Sequence, residues 1–242
     1  MLKIFKKSVK TIFRACGLDV RRTWQFLPYL WLRNCNIRTV LDVGANTGQF
    51  ALRIHALLPE AKIYSFEPLA DCYAVLRKNM NGIDDFYSFN VALGNENGKC
   101  DIYRNACSHS SSLLPMQNLH KQAFPQTAQA ELEEIEICRL DDVAHMLELN
   151  DNVLIKIDVQ GFEDQVIMGG QDVIARAHVL IVETSFEPLY QGQVLFDGIY
   201  AMLTAKGFEI RGGEEPLRNP EDTRILQCDS IFVRKADHEI RS

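Results

Sequence analysis

The residues best suited to chemistry are a lysine and two carboxylates in the second half of the chain. Lys156 and Asp158 lie two positions apart in the apolar run Val153–Val159, a predicted strand, so both side chains lie on one face of it. An unpaired buried ammonium is energetically costly, and Lys156 therefore needs a carboxylate partner. Asp158 is one candidate, and Glu183, which ends the predicted neighbouring strand Val179–Glu183, is the other. Such a carboxylate can act as a general base towards a weak acid such as a hydroxyl.

The polar segment at residues 104–130 supplies further candidates for catalytic and ligand-binding residues. His109 is the histidine most suited to act as an auxiliary base, and Ser110 and Ser112 beside it are candidates for contact with a cofactor or substrate. Asp158 and Glu183 would also suit Mg²⁺, which prefers carboxylate oxygens and water. Two acids are not a specific signature of a metal site, so no metal is expected, and Mg²⁺ is the open alternative.

The end of the first predicted strand, Thr39–Val43, and the loop after it are predicted to bind a cofactor. Residues 42–48 read Asp-Val-Gly-Ala-Asn-Thr-Gly. Gly44 can bring the main chain close to a ligand, Asn46 tolerates the left-handed region, and Gly48 lets the next helix begin tightly against the strand. The glycines are too close together for the dinucleotide pattern G-x-G-x-x-G, and their spacing is typical of an S-adenosylmethionine loop. The predicted cofactor-binding residues of this loop are Asp42, Gly44, Ala45, Asn46 and Gly48. Asp158, at the same edge of the sheet, is also predicted to lie against the cofactor.

Polar residues also end the next two predicted strands. Glu67 follows the strand Lys62–Phe66, at a position where a carboxylate can accept hydrogen bonds from both ribose hydroxyls of a nucleoside. Pro68 comes directly after it. The third strand is predicted over Phe86–Ala92, and its end is expected to flank an adenine, with a side-chain or backbone amide contacting the edge of the base. The residues concerned are Asn90, Val91 and Ala92.

Strands and helices alternate along most of the chain from residue 38. Glu163, near the start of the predicted helix Phe162–Met168, either caps that helix or supports the site. Repeated strand–helix units predict an α/β fold with a doubly wound, mostly parallel seven-stranded sheet and helices on both faces. In such a sheet, ligands bind beyond the carboxyl ends of the strands. Shorter strands are predicted over Cys100–Tyr103, Glu134–Cys138, Phe208–Arg211 and Ser230–Arg234.

The predicted organisation is a basic N-terminal segment, residues 1–36, followed by one domain over residues 37–236. Residues 104–130 lose the alternation and are predicted to form a substrate loop or lid. Residues 1–22 contain seven basic residues and one acidic residue, which is a net charge of +6. Because the whole chain has a net charge of −6, the remaining residues carry −12. Because nucleic-acid affinity depends on neutralising phosphates, this acidic body predicts no nucleic-acid partner.

The basic segment has apolar residues at helical spacing between positions 2 and 16. This amphipathic helix either packs on the domain or makes peripheral contact with an anionic membrane through residues 1–18. No stretch approaches the roughly 20 apolar residues of a membrane span. The seven cysteines include no CxxC pair, which favours a reduced, cytoplasmic setting, with a peripheral position at the inner membrane face as the alternative. The sequence gives no indication of the oligomeric state.

These motifs together resemble the FkbM-type methyltransferases, a class I S-adenosylmethionine-dependent family with a Rossmann-like fold. The run Lys-Ile-Asp-Val-Gln-Gly-Phe-Glu at 156–163 is the most specific part of the resemblance. It extends from Leu41 to about Gly213. The resemblance implies S-adenosylmethionine as cofactor and transfer of its methyl group to a small-molecule or glycan hydroxyl, such as a sugar hydroxyl of a polysaccharide, glycolipid or natural product. The other matching segments are residues 42–48, 66–68, 90–93, 110–113 and 139–142.

Three other functions are alternatives to this interpretation. A NAD-dependent oxidoreductase is opposed by the glycine spacing, and none of the seven tyrosines has a lysine four residues later, as a short-chain dehydrogenase would require. N-methylation of a small molecule is the next alternative, and an amine nucleophile would need much less help from a base than a hydroxyl does. A non-catalytic cofactor-binding scaffold is disfavoured because both Glu67 and Asp158 are intact.

Overall fold

The computed structural model describes residues 23–150 and 152–235 of the chain. The predictions for residues 1–22, including the helix over 2–16 and its membrane contact, lie outside the described residues. The strands are β1 (Thr39–Val43), β2 (Lys62–Phe66), β3 (Phe86–Phe89), β4 (Ala92–Gly94), β5 (Gly98–Asn105), β6 (Ala130–Arg139), β7 (Val153–Ile157), β8 (Ala177–Ser185), β9 (Phe208–Arg218) and β10 (Ile225–Arg234).

Helices connect most of these strands. The α-helices are α1 (Gln49–Leu57), α2 (Ala70–Asn79), α3 (Asn118–Ala123), α4 (Leu140–Val143), α5 (Glu163–Gly169), α6 (Gln171–Ala175) and α7 (Phe196–Ala205). Segments of 3-10 helix are Thr23–Cys35, Ser108–Ser110, Pro125–Thr127 and Ala144–Met146. No helix within the described ranges is long and apolar enough to cross a membrane.

Seven strands form the central sheet, in the order β3-β2-β1-β7-β8-β10-β9. The pairings from β3 through β8 are parallel, whereas β10 runs antiparallel to both β8 and β9. Every side chain of β1 and of β7 is buried, as expected for central strands that helices cover on both faces. The predicted mostly parallel seven-stranded sheet is therefore confirmed.

Two apolar clusters cover the opposite faces of this sheet. Leu41 and Ile155 belong to the cluster that includes α5, α6 and α7. Val40 and Leu154, their chain neighbours, point to the other face and pack against α1, α2 and the helix Thr23–Cys35. The sheet is thus enclosed on both sides, which leaves the carboxyl ends of its strands as the place where polar side chains can meet.

The prediction of a single strand over Phe86–Ala92 is wrong, because the chain leaves the central sheet after Phe89. Ala92–Gly94 pairs instead with β6, in a separate three-stranded sheet of order β4-β6-β5. The two pieces are similarly apolar, so the sequence pattern does not mark the change of sheet. β5 and β6 also pair over eight positions and are longer than predicted, because charged, exposed side chains obscure their alternation.

The last two strands are likewise longer than the predicted Phe208–Arg211 and Ser230–Arg234. They form an antiparallel pair in which Arg218 lies opposite Ile225 at one end and Phe208 lies opposite Arg234 at the other. Several register shifts interrupt the pairing. These irregularities break the period-two pattern from which a strand is recognised. The longer β10 brings Gln227 and Asp229 into the central sheet.

Residues 104–130 are more regular than an irregular loop, which corrects that part of the prediction. The segment includes the end of β5, helix α3, two 3-10 turns and the start of β6. The Asn105 side chain donates hydrogen bonds to the carbonyls of Thr127 and Gln129, and this joins the two ends of the segment. An isolated bridge between Met116 and Tyr190 attaches its middle to the rest of the domain.

Candidate active site

Backbone contacts bring the carboxyl ends of β1, β2 and β7 together. The Gly44 amide donates to the Phe66 carbonyl at 3.0 Å, and the Asp158 amide donates to the Val43 carbonyl at 3.0 Å. Gly44 has φ +82°, and a Cβ added there would lie 1.9 Å from the Asp158 carbonyl oxygen. Only glycine therefore fits where the first loop crosses the end of β7.

The rest of the loop has the backbone geometry predicted for it. Asn46 lies in the left-handed region with φ 47°, and Gly48 has φ +90° directly before α1. The Asn46 amide donates to Glu67 Oε2 at 2.8 Å, so the loop and the end of β2 are joined. Asp42 and Ala45 are largely buried and line a cavity beside the loop, and burial raises the pKa of Asp42 to about 7.

Glu67 is buried at the tip of β2 and accepts two backbone hydrogen bonds. Besides the bond from Asn46, its Oε1 accepts one from the Leu69 amide at 2.9 Å. Burial raises the pKa of Glu67 to about 7, and the two amides partly oppose that rise. Pro68, next to it, lines the neighbouring cavity. The carboxylate is thus fixed in position and retains acceptor capacity for a ligand.

The residues that follow β3 have two different roles. The Asn90 side chain donates hydrogen bonds of 2.8 Å to the carbonyls of Glu67 and Pro68, so it fixes the end of β2. Val91 and Ala92, in contrast, line the cavity. Only these two of the three predicted adenine neighbours therefore face the space in which a ligand would lie.

A cavity of about 370 Å³ lies beyond the strand ends. Phe66, Glu67, Val91, Gln126 and Gln227 are among the residues that line it. A second cavity of about 240 Å³ is next to it. Residues shared by the two walls mark where the cavities meet; they are Gly44, Asn46, His109, Asp158 and Glu183.

Lys156 is buried between two carboxylates. Its Nζ donates to Asp229 Oδ1 at 2.8 Å and to Asp158 Oδ2 at 3.2 Å. The predicted partner Asp158 is present, whereas Glu183, the other candidate, accepts no hydrogen bond from the lysine among the described contacts. Burial disfavours the ammonium, but Asp158 and Asp229 together raise the pKa of Lys156 well above its ordinary value.

Sequence reasoning missed Asp229 and the residue behind it. Asp229 is buried on β10, and the Tyr29 hydroxyl donates to its Oδ2 at 3.0 Å. An acid within an apolar strand is a usable sequence signal, but the predicted strand began one residue later, at Ser230. Nothing in the local sequence marks Tyr29, which lies 200 positions away from its partner.

Glu183 is held beside Asp158 by two side-chain amides. Gln160 Nε2 donates to Glu183 Oε2 at 2.6 Å and to Asp158 Oδ1 at 3.0 Å, and Gln227 Nε2 donates to Glu183 Oε1 at 2.6 Å. Burial and the nearby Asp158 charge raise the pKa of Glu183 well above its usual range. For Asp158, burial acts in the same direction, but the Lys156 charge and the hydrogen bonds bring its pKa below the ordinary value.

The pKa values of the two acids are thus shifted in opposite directions. The surroundings favour the ionised form of Asp158 and the neutral form of Glu183, a division typical of paired carboxyl groups in active sites. Single oxygens of Asp158, Glu183 and Asp229 lie within 4.8 Å of one another, a spacing that could hold a metal ion. Two of the three acids already share the Lys156 ammonium, which supplies positive charge at the same place.

Of the other predicted site residues, His109, Ser110 and Ser112 line the main cavity, whereas Glu163 does not. His109 is exposed, its Nε2 is 3.3 Å from Gln49 Nε2, and Ser110 lines the cavity beside it. The Ser112 hydroxyl is buried and donates to the Gln160 carbonyl at 2.6 Å. Glu163 Oε1 accepts from the amides of Val159 and Gly161, both at 3.1 Å, so it stabilises the turn before α5.

His120 on α3 gives a pH-dependent test of how the 104–130 segment packs. Burial lowers the pKa of its imidazole to about 4, below the unfolded value of about 6.5. The unfolded chain therefore binds an extra proton between these values, and stability present above pH 6.5 is lost as the pH falls towards 4. We expect wild-type protein to lose more thermal stability between pH 7.5 and pH 5 than the variant His120→Phe. Equal losses in calorimetry would contradict this packing.

Comparison with known proteins places this site in a family. The protein-family model described as "Methyltransferase FkbM domain" matches residues 42–210 of this chain. The 2-O-methyltransferase NoeI of Sinorhizobium fredii is 30% identical over 172 residues, covering 68% of this chain and 70% of that protein. Methyltransferase sdnD of Sordaria araneosa is 27% identical over 196 residues, covering 71% and 73%. Magnesium protoporphyrin IX methyltransferase of Synechocystis with bound S-adenosylmethionine aligns at a TM-score of 0.45 and 12% identity, covering 88% of this chain and 77% of that chain.

The matched range begins at Asp42 and includes the first loop, the end of β2, the 104–130 segment and the Lys156–Glu163 run. These are the elements that surround the cavity. The resemblance inferred from the motifs is confirmed, and the chain belongs to the FkbM methyltransferase family of S-adenosylmethionine-dependent enzymes.

Proposed function

We propose that the protein transfers the methyl group of S-adenosylmethionine to a hydroxyl, most specifically a sugar hydroxyl of a polysaccharide, glycolipid or natural product. The observation that carries the proposal is the Asp158 carboxylate. It lies where the two cavities meet, directly beside the Gly44 loop, and the Lys156 ammonium keeps it ionised. A hydroxyl requires a base for methylation at neutral pH, whereas a neutral amine needs much less help.

The methyl donor is proposed to lie across the strand ends. Glu67 accepts hydrogen bonds from the ribose hydroxyls, and Val91 and Ala92 contact the adenine. The amino-acid end of the donor lies over Gly44 and Asn46, with its ammonium towards the acids of the second cavity, Asp42 among them. This arrangement directs the sulfonium towards Asp158, since the loop and that residue are in contact.

Within this arrangement Asp158 takes the proton of the acceptor hydroxyl while the hydroxyl oxygen attacks the methyl carbon. The carbon–sulfur bond breaks in line with the attack, and the products are a methyl ether, S-adenosylhomocysteine and a protonated carboxyl group. Glu183, whose raised pKa favours the neutral form, can then donate a hydrogen bond to the acceptor, and His109 at the cavity wall is an auxiliary base. The ammonium of Lys156 supplies the positive charge near the acids, so we propose that no Mg²⁺ is required.

The similarity to a relative named as a 2-O-methyltransferase supports oxygen as the acceptor atom. The test is a methyl-transfer assay with isotopically labelled S-adenosylmethionine against panels of saccharides, glycolipid precursors and small-molecule amines, with and without a chelator. Methylation of a saccharide hydroxyl, unaffected by the chelator, is the expected result. Methylation of amines alone would overturn the hydroxyl assignment, and donor binding without turnover would indicate a scaffold.

Replacing Glu67 by alanine is expected to weaken donor binding. The change removes hydrogen bonds to a buried carboxylate that also holds the Asn46 amide. We expect a loss of about 1–3 kcal/mol in the affinity for S-adenosylhomocysteine, measured by titration calorimetry. Glu60→Ala, which removes an exposed acid paired with Arg38, is the control and should bind normally. Unchanged affinity of the Glu67 variant would remove this residue from the donor site.

We propose that residues 37–236 form the catalytic domain and residues 104–130 its substrate lid. A cytoplasmic protein with residues 1–18 at the inner membrane face would suit a lipid-linked acceptor. Deleting residues 1–18 should then abolish sedimentation with anionic vesicles while activity on soluble acceptors is retained.

A further inference from the structure

We infer that Gln160 is a positioning residue for the methyl transfer, and that Tyr190 sets its orientation. The inference rests on the proposed function, because Asp158 and Glu183 are the groups positioned. Gln160 follows β7 by three residues and lines the main cavity. Its backbone lies in the left-handed region with φ 57°, a conformation in which a non-glycine residue is uncommon. That conformation places the side chain between the two acids.

The amide group of Gln160 makes three side-chain hydrogen bonds. Nε2 donates to both Asp158 and Glu183, at 3.0 and 2.6 Å, and Oε1 accepts from the Tyr190 hydroxyl at 2.8 Å. If the amide were reversed, its oxygen would face the ionised Asp158 carboxylate. The contacts with the two acids and with the Tyr190 hydroxyl therefore favour the same orientation of the amide. The two carboxyl groups are thereby held at a fixed separation across the point where the cavities meet.

Tyr190 itself is rigidly placed. It is buried, its ring makes an edge contact with His120 at 5.4 Å, and a Cβ added to Gly161 would lie 3.0 Å from the ring. His120 belongs to α3 in the 104–130 segment. The orientation of the Gln160 amide therefore depends on a tyrosine that is packed between the proposed lid and the turn before α5.

The test compares variants that remove the amide contacts in different ways. Gln160→Glu is isosteric and loses the donor, whereas Gln160→Asn keeps an amide and tolerates left-handed backbone but is one methylene too short. Tyr190→Phe removes only the hydroxyl. The control is Gln165→Glu on α5, since Gln165 Nε2 likewise donates to a carboxylate, Asp164, at 2.6 Å but does not line the cavity.

We expect both Gln160 variants to lower kcat by about 10- to 100-fold, the range for a lost hydrogen bond to a charged group. Tyr190→Phe should lower kcat less. The double variant should lose less than the product of the single losses, because both residues act through one amide. The dissociation constant for S-adenosylhomocysteine should stay within threefold, and Gln165→Glu should retain wild-type kcat.

Rates are measured on whichever acceptor the wild-type enzyme methylates. Wild-type turnover on an amine alone would therefore overturn the hydroxyl proposal and still allow Gln160 to be tested. An unchanged kcat in both Gln160 variants would overturn the positioning role. So would a fall in donor affinity as large as the fall in kcat, because Gln160 would then be a donor ligand.

Discussion

Replacing Asp158 by asparagine is expected to reduce kcat by about 10²–10⁴-fold, the usual contribution of a general base. Asparagine keeps the shape of the side chain but cannot take a proton from the acceptor hydroxyl. The Lys156 ammonium and the Gln160 amide, which keep the carboxylate ionised, act on the same group and cannot replace it. Single-turnover measurement of methyl transfer, with saturating donor, would report the chemical step directly.

The donor site should survive this change. The Asp158 amide, which donates to the Val43 carbonyl, and the Asp158 carbonyl, which lies close to Gly44, belong to the backbone and are unaffected by the substitution. We therefore expect affinity for S-adenosylhomocysteine within threefold of wild type. Asp101→Asn, an exposed acid on β5, serves as the control and should retain wild-type turnover. A normal kcat in Asp158→Asn would refute its role as base and direct attention to His109.

Replacing Lys156 by methionine is expected to lower the free energy of unfolding by about 3–5 kcal/mol, the cost of removing one partner from a buried ion pair. The lysine is 4% exposed, and its removal leaves Asp229 and Asp158 facing each other without a cation. Total stabilities are typically about 5–15 kcal/mol, so this loss is a large share. Urea denaturation followed by circular dichroism would measure it.

Two comparisons separate the charge effect from lost packing. Lys62→Met removes a lysine whose partner, Glu148, lies in solvent, so little stability should be lost. In the double variant Lys156→Met with Asp229→Asn, one of the two stranded charges is gone, and part of the lost stability should return. If Lys156→Met is as stable as Lys62→Met, the buried pair contributes nothing to folding.

The sequence by itself determined those strands, helices and turns that local residue patterns specify. Alternating apolar strands and helices define the parallel sheet, and residues 42–48 show by their types alone where the backbone must adopt positive φ. Gly44 and Asn46 have the predicted conformations because a missing Cβ, or a short amide side chain, is what such backbone requires. The end of a parallel strand is likewise a local property, which is why Glu67 and Asp158 were predicted at one edge.

Only the tertiary structure decided how charges are shared at that edge. Asp229 reaches Lys156 because β10 runs antiparallel beside β8, which puts it opposite Glu183 in the ladder. Tyr29 and Tyr190 enter the site from parts of the chain far removed in sequence. Such contacts depend on strand order and register, which no local pattern encodes.

The departure of the chain from the central sheet after Phe89 has the same origin. Both β3 and β4 satisfy the local preference for extended, apolar chain, and the choice of partner depends on which strand is available beside each. Short-range spacing thus indicated the fold class and the donor loop, and the motifs that resemble those of the FkbM-type methyltransferases indicated the family. Hydrogen-bond pairing between distant strands determined which residues surround each acid and in which direction its pKa shifts, because the pKa of a buried group is set by neighbours that only folding brings together.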